Sequence, residues 1–259
     1  MTQLTSTRNP VLQAIRRAAA GGRSTEDGLI VAEGPHLLEE ALRGEWQVVQ
    51  IFATARSRAR YSQLLLRPQA EVVEVSERAM ASASATESTQ EVLALLRPRI
   101  WQWRDLVGPR ALVLALDGIQ DPGNAGTIVR SAEAFGASGV VFLKSCVRVA
   151  NGKLLRAAAG SMFRLPFLEG IDLAEFLDET RLAGIRPYAL TMGGSATLDD
   201  ADLRSRCALV VGSEGAGISR ELLMATQPVS IPTAKVESLN AAIACSIALF
   251  EVFRQRSLR

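Results

Sequence analysis

The chain has 259 residues, 48% of them apolar, which is long for one compact domain and comfortable for two. A formal net charge of +2 excludes a strongly basic or acidic protein, and no apolar run approaches the ~20 residues of a membrane span. Met1 to Thr25 contain no signal-peptide apolar stretch, so a soluble cytoplasmic protein is expected. Cys146, Cys207 and Cys245 are odd in number and far apart, as suits buried thiols in a reducing compartment. With His36 as the only histidine and no cysteine cluster, neither a metal site nor a Ser-His-Asp triad has support.

In chain order, Val11 to Ala20 reads as a helix opened by Pro10, Leu29 to Ala32 as a strand, and Pro35 to Leu42 as a helix. Val48 to Phe52 (strand), Arg58 to Leu66 (helix), Glu71 to Val75 (strand), a polar loop over 81–90 and the strand Val92 to Leu96 complete a small α/β unit. Two arginine-rich stretches in it lack acids: Arg8, Arg16, Arg17 and Arg23, then Arg56, Arg58, Arg60 and Arg67. They suit either nucleic-acid phosphates or a solvated helix face. Pro98, Trp101, Trp103 and Gly108-Pro109 break the rhythm, which places domains at 1–98 and 110–259 with a linker over 99–109. The two tryptophans either stack on bases or cap a domain edge.

From Ala111 the alternation restarts, with strands at Ala111 to Leu116, Gly139 to Leu143, Arg186 to Leu190 and Cys207 to Val211. Helices are expected at Gly126 to Phe135, Asn151 to Gly160, Leu173 to Leu182, near Ser219 to Met224, and over Leu239 to Arg254. Unbroken apolar runs such as Ala111-Leu-Val-Leu-Ala-Leu116 fit parallel strands buried on both faces. Ligands of such sheets sit beyond the carboxyl ends of the strands.

Three polar turns follow strand-like runs there. In Asp121-Pro-Gly-Asn-Ala-Gly-Thr-Ile-Val-Arg130, Asn124 suits a helix N-cap and Arg130 lies two turns on. Taken alone this is equally a capped helix with a solvated arginine. Gly212-Ser-Glu-Gly-Ala-Gly217 is neither a dinucleotide fingerprint nor a phosphate loop, yet its glycines let a ligand approach the main chain. In Ile231-Pro-Thr-Ala-Lys-Val-Glu-Ser-Leu-Asn240, Ser238 can cap the last helix, while the Asn240 amide needs a partner of its own.

In this order the three segments resemble the SpoU (TrmH-like) branch of the SPOUT RNA methyltransferases. The resemblance covers the C-terminal domain, and Thr5-Ser-Thr-Arg-Asn-Pro10 with Leu29-Ile-Val-Ala-Glu-Gly-Pro-His36 resembles the family's N-terminal domain. It implies an α/β fold: a knotted C-terminal methyltransferase domain with a parallel sheet, and a small L30e-like RNA-binding domain. It implies S-adenosylmethionine-dependent 2′-O-methylation of ribose in structured RNA, 23S ribosomal RNA foremost, by a homodimer with no membrane partner. Transfer RNA, or a non-catalytic RNA-binding role on the same fold, are the alternatives.

By the same resemblance Arg130, Asn124, Glu214, Ser238 and Asn240 are the catalytic set. Thr191, Met192, Gly193, Gly212, Ile231 and Leu239 are the cofactor contacts. RNA phosphates are expected at Arg8, Arg16 and Arg17. Because guanidinium groups stay charged in water, Arg130 is expected to stabilise negative charge on the 2′-oxygen rather than act as base.

Overall fold

The computed structural model describes residues 3–66, 70–85, 90–194, 196–236 and 238–257. Arg67, positions 86–89 of the expected loop, and Glu237 lie outside the described residues. The chain divides into two compact units. The first joins Met1–Ile100 with Arg148–Arg164, and the second joins Trp101–Val147 with Leu165–Arg259.

The first unit is built on a mixed sheet of β1 (Ile30–Glu33), β2 (Gln47–Ala53), β3 (Glu71–Glu74) and β4 (Val92–Arg97), in the order β1-β4-β2-β3. β4 runs antiparallel to both its neighbours, whereas β2 and β3 are parallel. Helix Pro10–Ala20 starts where the Asn9 carboxamide accepts from the Val11 amide at 2.9 Å, and Pro10 occupies a position with no helical donor to lose. Its Leu12, Ile15 and Ala18 recur on one face and are buried with Val31, Phe52, Met80 and Leu93. The expected single helix over Arg58 to Leu66 is instead two short ones, Ala55–Arg60 and Ser62–Leu65. Thr54 and Ser57 start the first by capping each other reciprocally. Helix Glu77–Ala83, capped by Ser76, occupies the start of the span expected to be a loop.

Sequence placed 148–164 in the C-terminal domain, and the structure assigns it to the first unit. Packing explains this. Phe163 is fully buried and meets the Trp46 ring edge-on at 5.0 Å, and Gly44 has no room for a side chain because a Cβ would lie 2.5 Å from Phe163. Arg164 donates to Glu40 at 2.7 Å, and Arg43 donates to the other Glu40 oxygen at 3.0 Å.

The second unit holds β5 (Leu112–Asp117), β6 (Gly139–Leu143), β7 (Phe167–Ile171), β8 (Arg186–Leu190), β9 (Ala196–Thr197), β10 (Cys207–Gly212) and β11 (Gln227–Ser230). They form one sheet in the order β7-β6-β5-β10-β8-β11-β9, and every pair is parallel. The central strands β5, β6 and β10 are apolar and buried along nearly their whole length, as a sheet covered on both faces requires. β7, β9 and β11 were missed because they are short, at or near the sheet edge, and carry polar residues or proline. The expected linker contains a helical turn, Trp103–Leu106. Trp103 caps the domain edge there, packing on Phe176 and donating to Glu175 at 2.9 Å, which leaves base stacking without support at this residue.

Two helix starts differ from the sequence reading. The first segment's helix begins at Pro122, four residues before the expected Gly126, because Asp121 rather than Asn124 is the cap: its carboxylate accepts from the Asn124 amide at 2.7 Å. The last helix is Ala241–Ser257 and is capped by Asn240, not Ser238. Its far end is fastened by Arg256, whose guanidinium donates to the carbonyls of Leu203, Ser205, Arg110 and Ala111 at 2.7–3.1 Å. All three cysteines are free, with Cys207 and Cys245 buried. Burial pushes the Cys207 thiol up to about 11, which makes it unreactive at neutral pH. Among the described residues no helix is long and apolar enough to cross a membrane.

The Glu40 carboxyl, held by Arg164, lies below the ordinary glutamate value of 4.5. A lowered pKa means that the pair stabilises the fold above that value and that the contribution is lost as pH falls through the folded pKa. Glu40→Gln should therefore destabilise the protein at neutral pH, by roughly 1–3 kcal/mol. Urea denaturation across pH should show the gap to wild type closing on acidification below 4.5.

Candidate active site

Four loops leave the carboxyl ends of β5, β8, β10 and β11 on the same edge of the sheet, since all these strands are parallel. The β10 loop is a tight turn in which the Gly217 amide donates to the Ser213 carbonyl at 2.9 Å and the Ala216 amide to the Ser213 hydroxyl at 3.2 Å. Gly212 is obligatory here: a Cβ would lie 2.2 Å from the Gly217 carbonyl carbon. Glu214 projects from this turn.

Glu214 joins the three segments. Its Oε1 accepts from Asn124 Nδ2 at 3.0 Å and also from Asn240 Nδ2, and Asn240 Nδ2 reaches Asn124 Oδ1 at 3.1 Å. The orientation of the Asn240 carboxamide is determined by its other end. Its Oδ1 accepts from the Ala242 and Ile243 amides at 2.9 and 3.2 Å, so its NH₂ must face Glu214. One carboxylate thereby satisfies two carboxamides 90 and 26 residues away in sequence. The Asn240 amide does find partners, but they are the Glu214 and Asn124 side chains together with the helix cap that was expected at Ser238.

Beside this triad lies a cavity of about 670 Å³, within the usual range of ~300–1,000 Å³ for small-molecule sites. Thr191 and Met192 after β8, Gly212 and Glu214 of the glycine turn, and Ile231, Ser238, Leu239 and Asn240 after β11 all line it. Leu190, Val211 and Val229 supply apolar wall. The Thr191 hydroxyl is buried and has no hydrogen-bond partner among the described residues, although its amide is held by the Val229 carbonyl at 2.9 Å. An orphan hydroxyl on a cavity wall is a group that a bound ligand would satisfy.

Two expected site residues stand apart. Gly193 is not in the lining. Arg130 is exposed on helix Pro122–Ala134, about 9 Å further along the axis than Asn124, and makes no hydrogen bond or ion pair among the described residues. The phosphate candidates Arg8, Arg16 and Arg17 belong to the first unit. A second cavity of about 480 Å³ on the other side of Glu214 adds residues the sequence reading overlooked, among them Asp117, Asp121 and Ser219. Asp117 accepts from the Ser219 amide at 2.7 Å, while the buried Ser219 hydroxyl has no partner among the described residues. The signal for Asp117 was its place at the end of a buried strand, but a carboxylate there is just as readily a turn residue.

This arrangement can be set beside known proteins. Residues 111–250 match the model of the SpoU rRNA Methylase family, and residues 18–94 match that of an MRM3-like substrate binding domain. The chain belongs to the SpoU family. A 23S rRNA (guanosine(2553)-2′-O)-methyltransferase, RlmP of Bacillus subtilis, is 30% identical over 97% of this chain and 99% of its own. An uncharacterized tRNA/rRNA methyltransferase of Synechocystis is 33% identical over 99% and 95%. Similar solved structures include the SpoU methyltransferase AviRb from Streptomyces viridochromogenes in complex with AdoMet, with a TM-score of 0.86 and 27% identity over 97% and 100% of the two chains. An AdoMet-bound rRNA methyltransferase from Sinorhizobium meliloti gives 0.86 and 29% over 100% and 99%. The SpoU chain described here therefore has the expected α/β fold with a parallel sheet and an N-terminal substrate-binding domain.

Asn240→Ala should remove the helix cap and one of the two amides on Glu214. Its cost should be roughly 1–2 kcal/mol of stability, read as a lower urea midpoint. Asn240→Asp keeps a capping oxygen but sets a second carboxylate against Glu214, so it should not restore the wild-type midpoint.

Proposed function

We propose that this protein transfers a methyl group from S-adenosylmethionine to a ribose 2′-oxygen of ribosomal RNA, 23S RNA foremost. The observation that carries the reading is the Asn124–Glu214–Asn240 triad beside a cavity walled by the loops after β8, β10 and β11. The residues fit the cofactor: apolar walls for a base and a thioether chain, an orphan Thr191 hydroxyl, and a glycine turn that lets a ligand reach the main chain. Thr191, Met192, Gly212, Ile231 and Leu239 would hold it. When bound it supplies an electrophilic methyl group on a sulfonium.

The chain's own residues supply position and charge. Glu214 orients both carboxamides, and of the triad Glu214 and Asn240 give the cavity a preorganised polar edge. Arg130, which makes no ion pair among the described residues, is available to hold a phosphate and to stabilise negative charge growing on the 2′-oxygen. Ser238 lines the same cavity and completes the catalytic set we assign.

RNA selection is assigned to the first unit. Arg8, Arg16, Arg17, Arg148, Lys153 and Arg156 are exposed there and have no ion-pair partner among the described residues. The last three come from the 148–164 segment and could not be linked to residues 1–98 by sequence. Such free cations are what phosphate binding uses.

We also propose a homodimer through the last helix. Ile243, Ile247, Phe250 and Phe253 recur on one side of it and are 39–53% exposed, and Phe250 packs edge-on against Phe135 at 5.8 Å. Exposed apolar residues in a continuous stripe mark an association surface. Thr127, one turn before Arg130, borders the groove between these helices, so dimerisation would bring the interface beside the proposed active site.

The test is a map of ribose methylation in RNA from cells with and without the gene. One ribosomal position should lose its methyl group and regain it with wild-type protein but not with Arg130→Ala. A lost transfer-RNA position would redirect the substrate, and an unchanged map would sink the reading. In vitro, Arg130→Ala should lower methyl transfer by 100-fold or more, on the order of a lost charge-stabilising group, with S-adenosylmethionine affinity by calorimetry nearly unchanged. Separately, Phe250→Glu with Ile247→Glu should convert the dimer to monomer in sedimentation analysis, while a wild-type protein that sediments as a monomer would refute the interface.

A further inference from the structure

The arginine-rich stretch beginning at Arg56 has no place in the site described above. Its Arg56, Arg58 and Arg60 lie on helix Ala55–Arg60 of the first unit, and their charges are largely spent within that unit. Arg58 meets Glu74 at 3.3 Å, and Arg56 and Arg60 approach Glu91 at 4.0 and 3.4 Å. Arg60 does something more. Its guanidinium lies over the Tyr61 ring, 5.2 Å from the centroid, at the edge of a pocket of about 570 Å³. His36, in the first turn of helix Pro35–Arg43, and Gln63 also line this pocket.

We infer that this pocket takes a single unstacked nucleobase of the RNA, stacked beside Tyr61 and read by His36 and Gln63. The inference rests on the reading of this protein as an RNA methyltransferase and extends it to a second contact in the substrate-binding unit. Its volume is within the ~300–1,000 Å³ of small-ligand sites. Tyr61 and the Arg60 guanidinium offer two planar surfaces, the kind on which single-stranded bases stack. The His36 imidazole and the Gln63 amide have no hydrogen-bond partner among the described residues, and together they present donors and acceptors suited to a base edge.

The charge balance favours a base over a bare phosphate. Arg60 is already engaged by Glu91, and the pocket's own acid, Glu39, is paired with Arg43 at 2.7 Å. No unpaired arginine or lysine is left in the lining to hold an anion. Among the described residues, free cations of the unit lie outside this lining, Arg8, Arg16, Arg17, Arg148, Lys153 and Arg156 among them. Backbone binding and base reading are therefore divided between two places on one unit.

The chain's single histidine provides a reporter, because His36 gives the only histidine imidazole signal in the full-length protein. Histidine-labelled protein is titrated by NMR with each 5′-nucleoside monophosphate, with ribose 5-phosphate and with inorganic phosphate, all at millimolar concentration. At least one nucleotide should move the His36 signal saturably, while the two phosphates without a base should not. Tyr61→Ala should abolish the response and Tyr61→Phe should keep it. Gln63→Ala, at an exposed position, should weaken it without risk to the fold. In filter binding, Tyr61→Ala should lower affinity for ribosomal RNA roughly ten-fold.

No response to any nucleotide overturns the proposal. So does an equal response to inorganic phosphate, which would make the pocket an anion site, or an unchanged response in both Tyr61→Ala and Gln63→Ala. Calorimetry with S-adenosylmethionine separates the two levels. Cofactor binding with a silent His36 rejects only this pocket, whereas absence of cofactor binding rejects the methyltransferase reading itself.

Discussion

Everything at the candidate active site depends on one carboxylate oxygen. Glu214 Oε1 accepts from the carboxamides of Asn124 and Asn240, and these two sit at the starts of different helices. A carboxylate that receives two N–H donors loses freedom to rotate. In return it determines which way each carboxamide points. The Asn240 side chain also caps the last helix, so the orientation of a site residue and the start of a 17-residue helix are the same event.

The fold supplies this arrangement through strand direction. Because β5, β8, β10 and β11 are parallel, their following loops all emerge at one edge, and residues from Asp117 to Asn240 meet there. The glycines serve the same end. At Gly212 the chain passes so close to Gly217 that no side chain fits, and this closeness forms the turn from which Glu214 projects. The apolar strands beneath are buried on both faces, so the polar edge rests on a rigid base.

The first unit shows a different economy of charge. Its arginines include some engaged by glutamates, such as Arg58 and Arg164, and others that make no ion pair among the described residues, such as Arg16 and Arg156. Only the second group could take an anionic ligand without breaking an existing pair. The segment 148–164 contributes to both: Arg164 anchors it through buried Glu40, while Arg148, Lys153 and Arg156 face solvent. A stretch of chain interior to the catalytic half in sequence thus extends the surface of the substrate-binding unit.

Sequence alone determined the alternation of apolar runs and polar turns, and with it the parallel α/β core, because burial on both faces requires unbroken apolar strands. It also singled out Asn240, whose amide at the start of an apolar helix needs a partner, while Asn124 and Glu214 entered the candidate site through the family resemblance of their segments. Local patterns could not say which residue caps which helix. Asp121 and Asn124 are both good caps three positions apart, as Ser238 and Asn240 are two apart, and in the structure it is Asp121 that accepts from the Asn124 amide and Asn240 that accepts from the Ala242 and Ile243 amides. Tertiary structure likewise decided the edge strands β7, β9 and β11, too short and too polar to be read from periodicity, and the membership of 148–164 in the first unit. The reason is common to all of these. A pattern along the chain records how much of a residue is to be buried, whereas its partner is chosen by distance in space, here across separations of 90 and 116 residues.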